Sequence, residues 1–198
     1  MKISDLYETP QIIPGLTDEE NLDSFSVNKS KYSELAKLHN KKEISRLSDD
    51  VIIYQSGRMN FCLDTSRKEV TYYMQYEVST NKVFGSFLWQ SLVWRSKKVQ
   101  YNKAMPHKIF FNTLLPKFKV IVTDGMQTVE GKRFWEFQIA FAIENDINVY
   151  FFDDKSKELI KVNTLIEFDK VSRDHDVWGE TPIHKSKLMV ITTKELIN

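Results

Sequence analysis

Cysteine, glycine and proline are all scarce in this sequence, and each shortage excludes a class of protein. The single cysteine, Cys62, excludes an internal disulfide framework and a zinc cluster held by several cysteines, and it is typical of a reducing compartment. With only 6 glycines and 5 prolines, a fold dominated by loops is not expected. No apolar run reaches the roughly 18 residues of a membrane span, and residues 1–10 lack the apolar region of a signal peptide. We therefore expect a soluble, cytoplasmic protein with no membrane partner.

Acidic residues are missing from one long stretch, although the whole chain is nearly neutral. The 198 residues carry a formal net charge of +1 and are 41% apolar, which predicts one domain with a substantial core. No Asp or Glu occurs between Val78 and Lys119, whereas residues 1–24 are acidic. The basic residues of this stretch are Lys82, Arg95, Lys97, Lys98, Lys103, Lys108, Lys117 and Lys119. The asymmetry indicates an anionic partner, with a solvated surface as the simpler alternative.

The clearest secondary-structure signal is a strand–helix–strand pattern within residues 118–154. Phe118–Thr123 is apolar and β-branched, as in a buried strand, and Asn148–Phe152 is almost free of polar residues. Between them a helix is predicted from Thr128, its N-cap. The apolar stripe of this helix consists of Trp135, Ile139, Ala142 and Ile143. Two buried strands joined by a helix form a βαβ unit, in which the strands run parallel.

The remaining elements come in runs of strands with few helices. After an irregular segment over residues 1–27, a helix is predicted from Ser30, its N-cap candidate, and Lys41–Leu47 is expected to continue it after a break near His39-Asn40. Pro106 begins another helix, which extends to Leu115 and stops at Pro116. The other segments are strands at Val51–Tyr54, Met59–Leu63, Val70–Val78, Phe84–Trp94, Leu159–Val162 and Leu188–Thr193, and a short element at Leu165–Phe168. This order predicts a mixed α/β fold of α+β-like character, a single domain over residues 28–198 with a central mixed sheet flanked by helices.

The order of elements resembles the Gcn5-related N-acetyltransferase (GNAT) fold. That family has N-terminal helices, a run of antiparallel strands, a helix that begins at a pyrophosphate-binding loop, a strand–helix–strand unit and a last strand. Phe84–Trp94 corresponds to the fourth strand of the family, Pro106–Leu115 to the helix after it, and residues 120–152 to the strand–helix–strand unit. The resemblance is one of element order and extends over roughly residues 30–195.

The resemblance implies acetyl-CoA as the donor, with its pyrophosphate held by the loop after the fourth strand. In the family this loop has the pattern Gln/Arg-x-x-Gly-x-Gly/Ala, whose backbone N–H groups hold the phosphates. Residues 95–105 contain no glycine, so the charge of side chains has to replace that backbone cradle. The expected cofactor-binding residues are Arg95, Ser96, Lys97 and Lys98. A second departure is the helix of the strand–helix–strand unit, which has no tyrosine to serve as the usual general acid.

Groups for acid/base catalysis are expected at Tyr73, Glu77 and Asp124. Alternation along Val70–Val78 places Tyr73 and Glu77 on one face, although packing alone also selects strands rich in aromatic residues. Asp124 follows a strand of the βαβ unit, at the edge where α/β sheets place their sites, although Asp124-Gly125 also suits a simple turn.

The histidines carry weaker signals. His107 lies in the first turn of a predicted helix, where the helix dipole favours a neutral imidazole that can act as a base. An exposed surface histidine is the more common outcome for such a residue. His175 and His184 lie near aspartates in the sequence, but their spacing matches no known zinc site, and we expect no metal.

Two functions are therefore predicted. The first is acyl transfer from an acyl-CoA to an amine, with the basic loop holding the donor phosphates. It requires a tunnel between the fourth and fifth strands, splayed apart and open to Arg95–Lys98. The alternative is a non-enzymatic phage-type protein that binds nucleic acid or a host protein through the basic, aromatic 78–119 surface, where Trp89, Trp94 and Tyr101 supply rings for base stacking. The Lys- and Asn-rich composition is typical of a phage protein in the host cytoplasm.

Overall fold

The structure is a computed structural model that describes residues 25–96, 104–123, 129–179 and 186–196. These residues contain nine strands and five α-helices. In chain order the elements are α1 (Phe25–Ala36), β1 (Lys42–Arg46), β2 (Val51–Ser56), β3 (Met59–Asp64), β4 (Glu69–Asn81), β5 (Gly85–Arg95), α2 (Met105–Ile109), α3 (Leu115–Phe118), β6 (Val120–Val122), α4 (Val129–Glu144), β7 (Asn148–Asp153), β8 (Leu159–Val162), α5 (Leu165–Asp174) and β9 (Lys187–Thr192). A π-helical turn, Phe110–Leu114, connects α2 to α3. Of the helices in these ranges, none combines the length and the apolar character needed to cross a bilayer.

The strands lie in one mixed sheet in the order β1-β2-β3-β4-β5-β6-β9-β7-β8, so the predicted mixed α/β class is confirmed. Strands β1 to β4 pair in antiparallel fashion. Strands β5 and β6 are parallel, and β6, β9, β7 and β8 are again antiparallel neighbours. Because β6 and β7 each run antiparallel to β9, they are parallel to each other, as predicted for the βαβ unit. The closing strand β9 lies between them.

The predicted strands and the helix of the βαβ unit form close to their expected bounds. Each β-branched or aromatic run in the sequence became one of the strands β2 to β9. Gly85, at the start of β5, has a φ of 70°, a conformation that glycine adopts without the steric cost of a Cβ. Asp124 and the expected N-cap Thr128 lie outside the described residues, and α4 is described from Val129.

The described residues pack as two compact units. The N-terminal unit contains residues 25–76, 91–96 and 104–106, and the C-terminal unit contains residues 77–90, 107–123, 129–179 and 186–196. The long strands β4 and β5 contribute residues to both units.

In the N-terminal unit, α1 packs on the sheet through one apolar cluster. Its buried members are Leu35, Phe61, Leu63, Val70, Tyr73 and Trp94. Asn28 fixes the helix to β4, because its side-chain Nδ2 donates to the Val70 carbonyl at 2.9 Å and its Oδ1 accepts from the Val70 N–H at 2.8 Å. The Asn28 side chain thus satisfies both the N–H and the carbonyl of the buried Val70 backbone.

Two predictions in this unit were wrong. The helix includes Phe25, so Ser30 is an exposed residue within it and not its N-cap, and the predicted irregular segment overlaps α1 over residues 25–27. Lys41–Leu47 does not continue the helix, because Lys41 Nζ donates to the carbonyls of Ala36 and Leu38 at the helix end. Residues 42–46 instead form the edge strand β1, whose alternating charges and lone apolar Ile44 suit an edge exposed to solvent.

In the C-terminal unit, the core lies on both faces of β6, β9 and β7. One face carries the cluster of Phe84, Phe87, Val120, Val122, Tyr150, Phe152, Leu159, Leu188 and Val190. In α4, the predicted stripe is confirmed at Trp135, Ile139 and Ala142, whereas Ile143 is only half-buried. The helix also buries Phe134, Phe137 and Gln138, so its covered face is wider than the predicted stripe.

The helical segment from Met105 runs past Pro116 to Phe118, which corrects the predicted end at that proline. Proline has no N–H and its ring crowds the carbonyl four residues earlier, so an undisturbed α-helix is disfavoured there. The π-helical turn accommodates this, because the Leu115 N–H donates to the Phe110 carbonyl, five residues back. The segment ends at Lys119, whose φ is 67°.

Candidate functional site

The parallel strands β6 and β7 end at the same edge of the sheet in the C-terminal unit. Asp153, the last residue of β7, pairs with Lys187, the first residue of β9. Val122, the last residue of β6, pairs with Val190 of the same strand. The start of β9 therefore lies between the carboxyl ends of β6 and β7, and this edge is where α/β sheets place their sites.

At this edge, the residue directly after β6 is hydrogen-bonded to β9. The Thr123 N–H donates to the Met189 carbonyl at 3.0 Å, and Thr123 Oγ1 accepts from the Met189 N–H at 3.0 Å. In the described residues, the parallel pairing with β5 consists of Leu88 with Ile121 and Trp89 with Val122. Strand β5 itself continues beyond Trp89 to Arg95.

An ion pair joins the two strands at their ends. Lys187 Nζ donates to Asp153 Oδ2 at 2.5 Å, and the side chains are only 18% and 8% exposed. Burial by itself would raise the pKa of Asp153, but hydrogen bonds from Lys187, the Lys155 N–H, Ser186 and Ser156 hold that pKa well below its ordinary value. The carboxylate stays charged throughout the physiological range.

A cleft of about 430 Å³ opens between α4 and α5. Helix α4 contributes Lys132 and Glu136, α5 contributes Phe168, Asp169, Ser172 and Arg173, and the next turn contributes Asp176 and Trp178. The end of α5 lies near the carboxyl end of β7, because the His175 ring packs on Phe151 with centroids 4.3 Å apart.

The cleft holds ionisable groups in unequal environments. Arg173 Nη2 lies 2.8 Å from Asp169 Oδ2 in an ion pair that is about 70% exposed on both sides. Lys132 Nζ is 3.8 Å from Glu136 Oε1, a loose contact beside a side chain only 28% exposed. Burial raises the pKa of Glu136, and the charges of Lys132 and Arg133 oppose this only in part. A carboxyl group whose pKa is raised by burial inside a cleft is a candidate general base.

Two donors of the cleft wall are unsatisfied. Ser172 Oγ and Trp178 Nε1 are buried and have no hydrogen-bond partner within the part of the chain that the structure describes. Native proteins pair nearly all buried polar atoms, so two such groups at one cleft call for an explanation. The turn beside them is tight, since a Cβ on Gly179 would collide with the carboxylate of Asp176.

His107 is half-buried, which corrects the expectation of an exposed surface histidine. Its Nδ1 lies 2.9 Å from Gln138 Oε1, and the rings of Phe111, Phe137 and Phe141 surround the imidazole at centroid distances of 4.4–5.0 Å. Burial lowers the pKa of His107, and the Gln138 hydrogen bond counteracts this in part. The imidazole is therefore neutral at neutral pH, with Nδ1 as the protonated nitrogen opposite the amide oxygen.

Of the residues expected to be catalytic, Tyr73 is buried and Glu77 is exposed. Tyr73 lies in the apolar cluster under α1, 7% exposed, with its hydroxyl 3.3 Å from Met59 Sδ. Burial raises the pKa of Tyr73, so its phenol stays protonated. Glu77 is exposed on β4, and Asp124 lies outside the described residues. No geometry in the described residues joins these three side chains.

The residues expected to bind the donor are also divided. Arg95 is 3% exposed and its Nη1 donates to the Ser96 carbonyl at 3.0 Å, while the Ser96 N–H donates to the Thr71 carbonyl at 3.0 Å. Both residues are thus built into the end of β5, so the alternative of a solvated surface does not hold for Arg95. Lys97 and Lys98 lie outside the described residues.

The cleft was missed by the sequence analysis. Glu136 lies off the apolar stripe of α4, and in the sequence only its i,i+4 spacing from Lys132 indicates a helix-surface pair. Near Trp178, the sequence analysis considered only His175 and His184, as metal ligands. In the described ranges, no group of His, Cys, Asp and Glu side chains is arranged to hold a metal ion. Compared with known proteins, the chain matches no family model and no curated protein.

Proposed function

We propose that this protein is a divergent acyltransferase of GNAT-like architecture, which transfers an acyl group from an acyl-CoA to an amine. The observation that carries the proposal is the arrangement of β5 and β6. They form a parallel pair, Leu88 with Ile121 and Trp89 with Val122, in a largely antiparallel sheet. By the resemblance to the GNAT fold, β5 and β6 correspond to the fourth and fifth strands of that family. In the family, the donor binds where these two strands separate.

This parallel pair supports a place for an extended donor. Directly after β6, the Thr123 N–H donates to the Met189 carbonyl of β9, and Thr123 Oγ1 accepts from the Met189 N–H. The pantetheine arm of an acyl-CoA carries amide groups, and amides can pair with a strand edge as another strand does. The thioester would then lie near the carboxyl ends of β6 and β7.

The donor phosphates are assigned to Lys97 and Lys98 in this proposal. Arg95 is buried and bonded to Ser96, so its role is to fix the end of β5 from which the basic loop starts. The two lysines follow directly, and the acid-free composition of residues 78–119 keeps repulsive carboxylates away from the phosphates.

The alternative is binding of nucleic acid or a host protein through the 78–119 surface, and burial of its aromatic residues weighs against it. The Trp94 side chain is 0% exposed, and Trp89 packs against the apolar cluster of Phe84 and Phe87. The Trp94 ring therefore cannot stack on bases, whereas Trp89 is only partly buried and Tyr101 lies outside the described residues. The salt-dependent attraction of lysines for phosphates would remain, which an experiment can separate.

Thermal unfolding with and without acetyl-CoA tests the proposal. At about 100 times its Kd, acetyl-CoA should raise the free energy of unfolding by about 2.7 kcal/mol, seen as a shift in Tm of several degrees. Replacing Lys97 and Lys98 with Gln should remove the shift without changing the Tm of the free protein. Replacing the exposed Lys155 and Lys170 with Gln is the matched control and should leave the shift intact.

The result that would overturn the proposal is equally specific. If saturating acetyl-CoA or CoA gives no shift, and DNA or RNA binds with an affinity that falls steeply with salt, the protein is a nucleic-acid binder and not an acyltransferase. If neither class of ligand binds, a protein partner becomes the explanation of the basic surface.

A further inference from the structure

We propose that a second cleft, at the end of α1 in the N-terminal unit, binds a small molecule that carries a phosphate group. This cleft has a volume of about 650 Å³, which is within the range of small-molecule sites. It is lined by the end of α1, by the residues that follow this helix, and by Glu43 of β1 and Tyr54 of β2. None of these residues has a role in the proposed acyl transfer, so the inference goes beyond that function.

The ammonium group of Lys41 lies at this cleft. Its Nζ donates to the carbonyls of Ala36 at 2.6 Å and Leu38 at 3.1 Å, and it lies 5.7 Å from the centroid of the Tyr54 ring. These three residues line the cleft together with Lys41. An ammonium group has three N–H donors, so one remains for a ligand. The positive charge also offsets the carbonyls at the negative end of the helix dipole, which would otherwise repel an anion.

The other charged groups of the cleft leave it positive. Glu43 is the one acidic residue among the described residues that line it, and its two oxygens accept from Arg46 at 2.6 and 2.8 Å. Lys37 and His39 also line the cleft, and both are exposed. In the described ranges, neither of these two side chains has an ion-pair partner. The cleft therefore attracts an anion, because its lysines keep their charge while its carboxylate is already neutralised.

Tyr54 adds an uncharged donor. Its ring stacks on Phe61 with centroids 5.7 Å apart, which fixes its position. The hydroxyl has no hydrogen-bond partner within the part of the chain that the structure describes. Burial raises the pKa of Tyr54, and the nearby carboxylate of Glu43 raises it further, so the hydroxyl keeps its proton. Because Glu43 also lines the cleft, the Tyr54 hydroxyl lies close to it and can donate to an oxygen of a ligand.

These donors suit a phosphate better than a carboxylate. They come from separate parts of the chain, since Lys37 directly follows α1, Lys41 precedes β1 and Tyr54 lies on β2. A phosphate monoester has three acceptor oxygens and a charge of roughly −1.5 to −2 at pH 7, whereas a carboxylate has two oxygens and a single charge. Ala36 and Leu38 add apolar surface for the carbon part of the ligand.

Binding is tested by calorimetric titration of the full chain with phenyl phosphate and with benzoate, which carry the same ring on different anions. We expect phenyl phosphate to bind roughly ten-fold more tightly, with an affinity that falls as salt is added. Tyr54→Phe keeps the ring and should weaken its binding by about five-fold, the equivalent of one hydrogen bond. Lys37→Gln, at an exposed position, should also weaken it. Lys42→Gln, exposed on β1 but outside the cleft, is the matched control and should leave the affinity unchanged.

The outcomes separate this site from the acyltransferase proposal. The Lys97→Gln/Lys98→Gln variant should bind phenyl phosphate as tightly as the parent, and a loss of binding there would assign the anion to the basic loop instead. If benzoate binds as tightly as phenyl phosphate, the ligand class is wrong. If neither compound binds, or if Tyr54→Phe and Lys37→Gln both retain the affinity of the parent, the cleft is not the site. A failure of acetyl-CoA to bind would overturn acyl transfer and leave the phosphate site standing.

Discussion

His107 and Gln138 join α2 to α4 through a hydrogen bond of 2.9 Å between Nδ1 and Oε1. Gln138 is 1% exposed, and the imidazole packs against the rings of Phe111 in the π-helical turn and Phe137 on α4. The sequence offered no reason to connect two residues 31 positions apart. The pair is a polar contact inside an apolar interface, so its energy depends on both partners being present.

A double-mutant cycle measures this dependence. Gln138→Met should lower the free energy of unfolding by about 1–3 kcal/mol, because it leaves the half-buried Nδ1–H of His107 without an acceptor. The double variant His107→Phe/Gln138→Met should lose less than the sum of the single variants, since an apolar pair leaves no polar group unsatisfied. Denaturant unfolding gives all four values. Strict additivity of the two losses would show that the hydrogen bond contributes nothing.

Trp135 should be the residue of α4 whose truncation costs most. Its side chain is 2% exposed and packs edge-to-face on Phe110 at a centroid distance of 5.7 Å. Trp135→Ala should lower the free energy of unfolding by about 3–5 kcal/mol through lost burial and a residual cavity. Val129→Ala on the same helix removes a side chain 64% exposed and should change it by less than about 0.5 kcal/mol. A loss below about 1 kcal/mol for Trp135→Ala would contradict the packing.

The Asp153–Lys187 pair should make stability depend on pH in the acid range. The pKa of Asp153 is lower in the folded protein than its ordinary value of 3.8, so the ionised form stabilises the fold at every pH above 3.8. This stability is lost as pH falls below that value toward the folded-state pKa, because the unfolded chain then binds the proton more readily. Asp153→Asn should cost about 3 kcal/mol at pH 7, and the difference from the parent should shrink steadily in acid.

The neighbouring aspartate provides the control for this experiment. Asp154 lies 2.8 Å from Lys157, but the two side chains are 53% and 61% exposed. Asp154→Asn should therefore change the free energy of unfolding by less than about 1 kcal/mol at any pH. Equal losses for the two variants at neutral pH would mean that burial does not strengthen the Asp153 pair.

The sequence by itself determined the elements. Runs such as Val70–Val78 and Asn148–Phe152 are apolar enough that only buried strands accommodate them, and the spacing of Trp135, Ile139 and Ala142 admits only a helix facing the core. Where the pattern was weak, at Lys41–Leu47, local propensity predicted a helix and pairing with β2 made a strand. Edge strands depend on a partner that the local sequence does not contain.

Only the tertiary structure decided which strands are neighbours and which side chains meet. The insertion of β9 between β6 and β7 joins residues far apart in the chain, and no periodicity encodes such an order. Burial likewise placed Arg95 and Tyr73 inside the protein although their residue types favour the surface or a site. Glu136 and Trp178 came together at one cleft because α5 packs beside α4. A cleft is made by elements distant in sequence, so its chemistry exists only once they are packed.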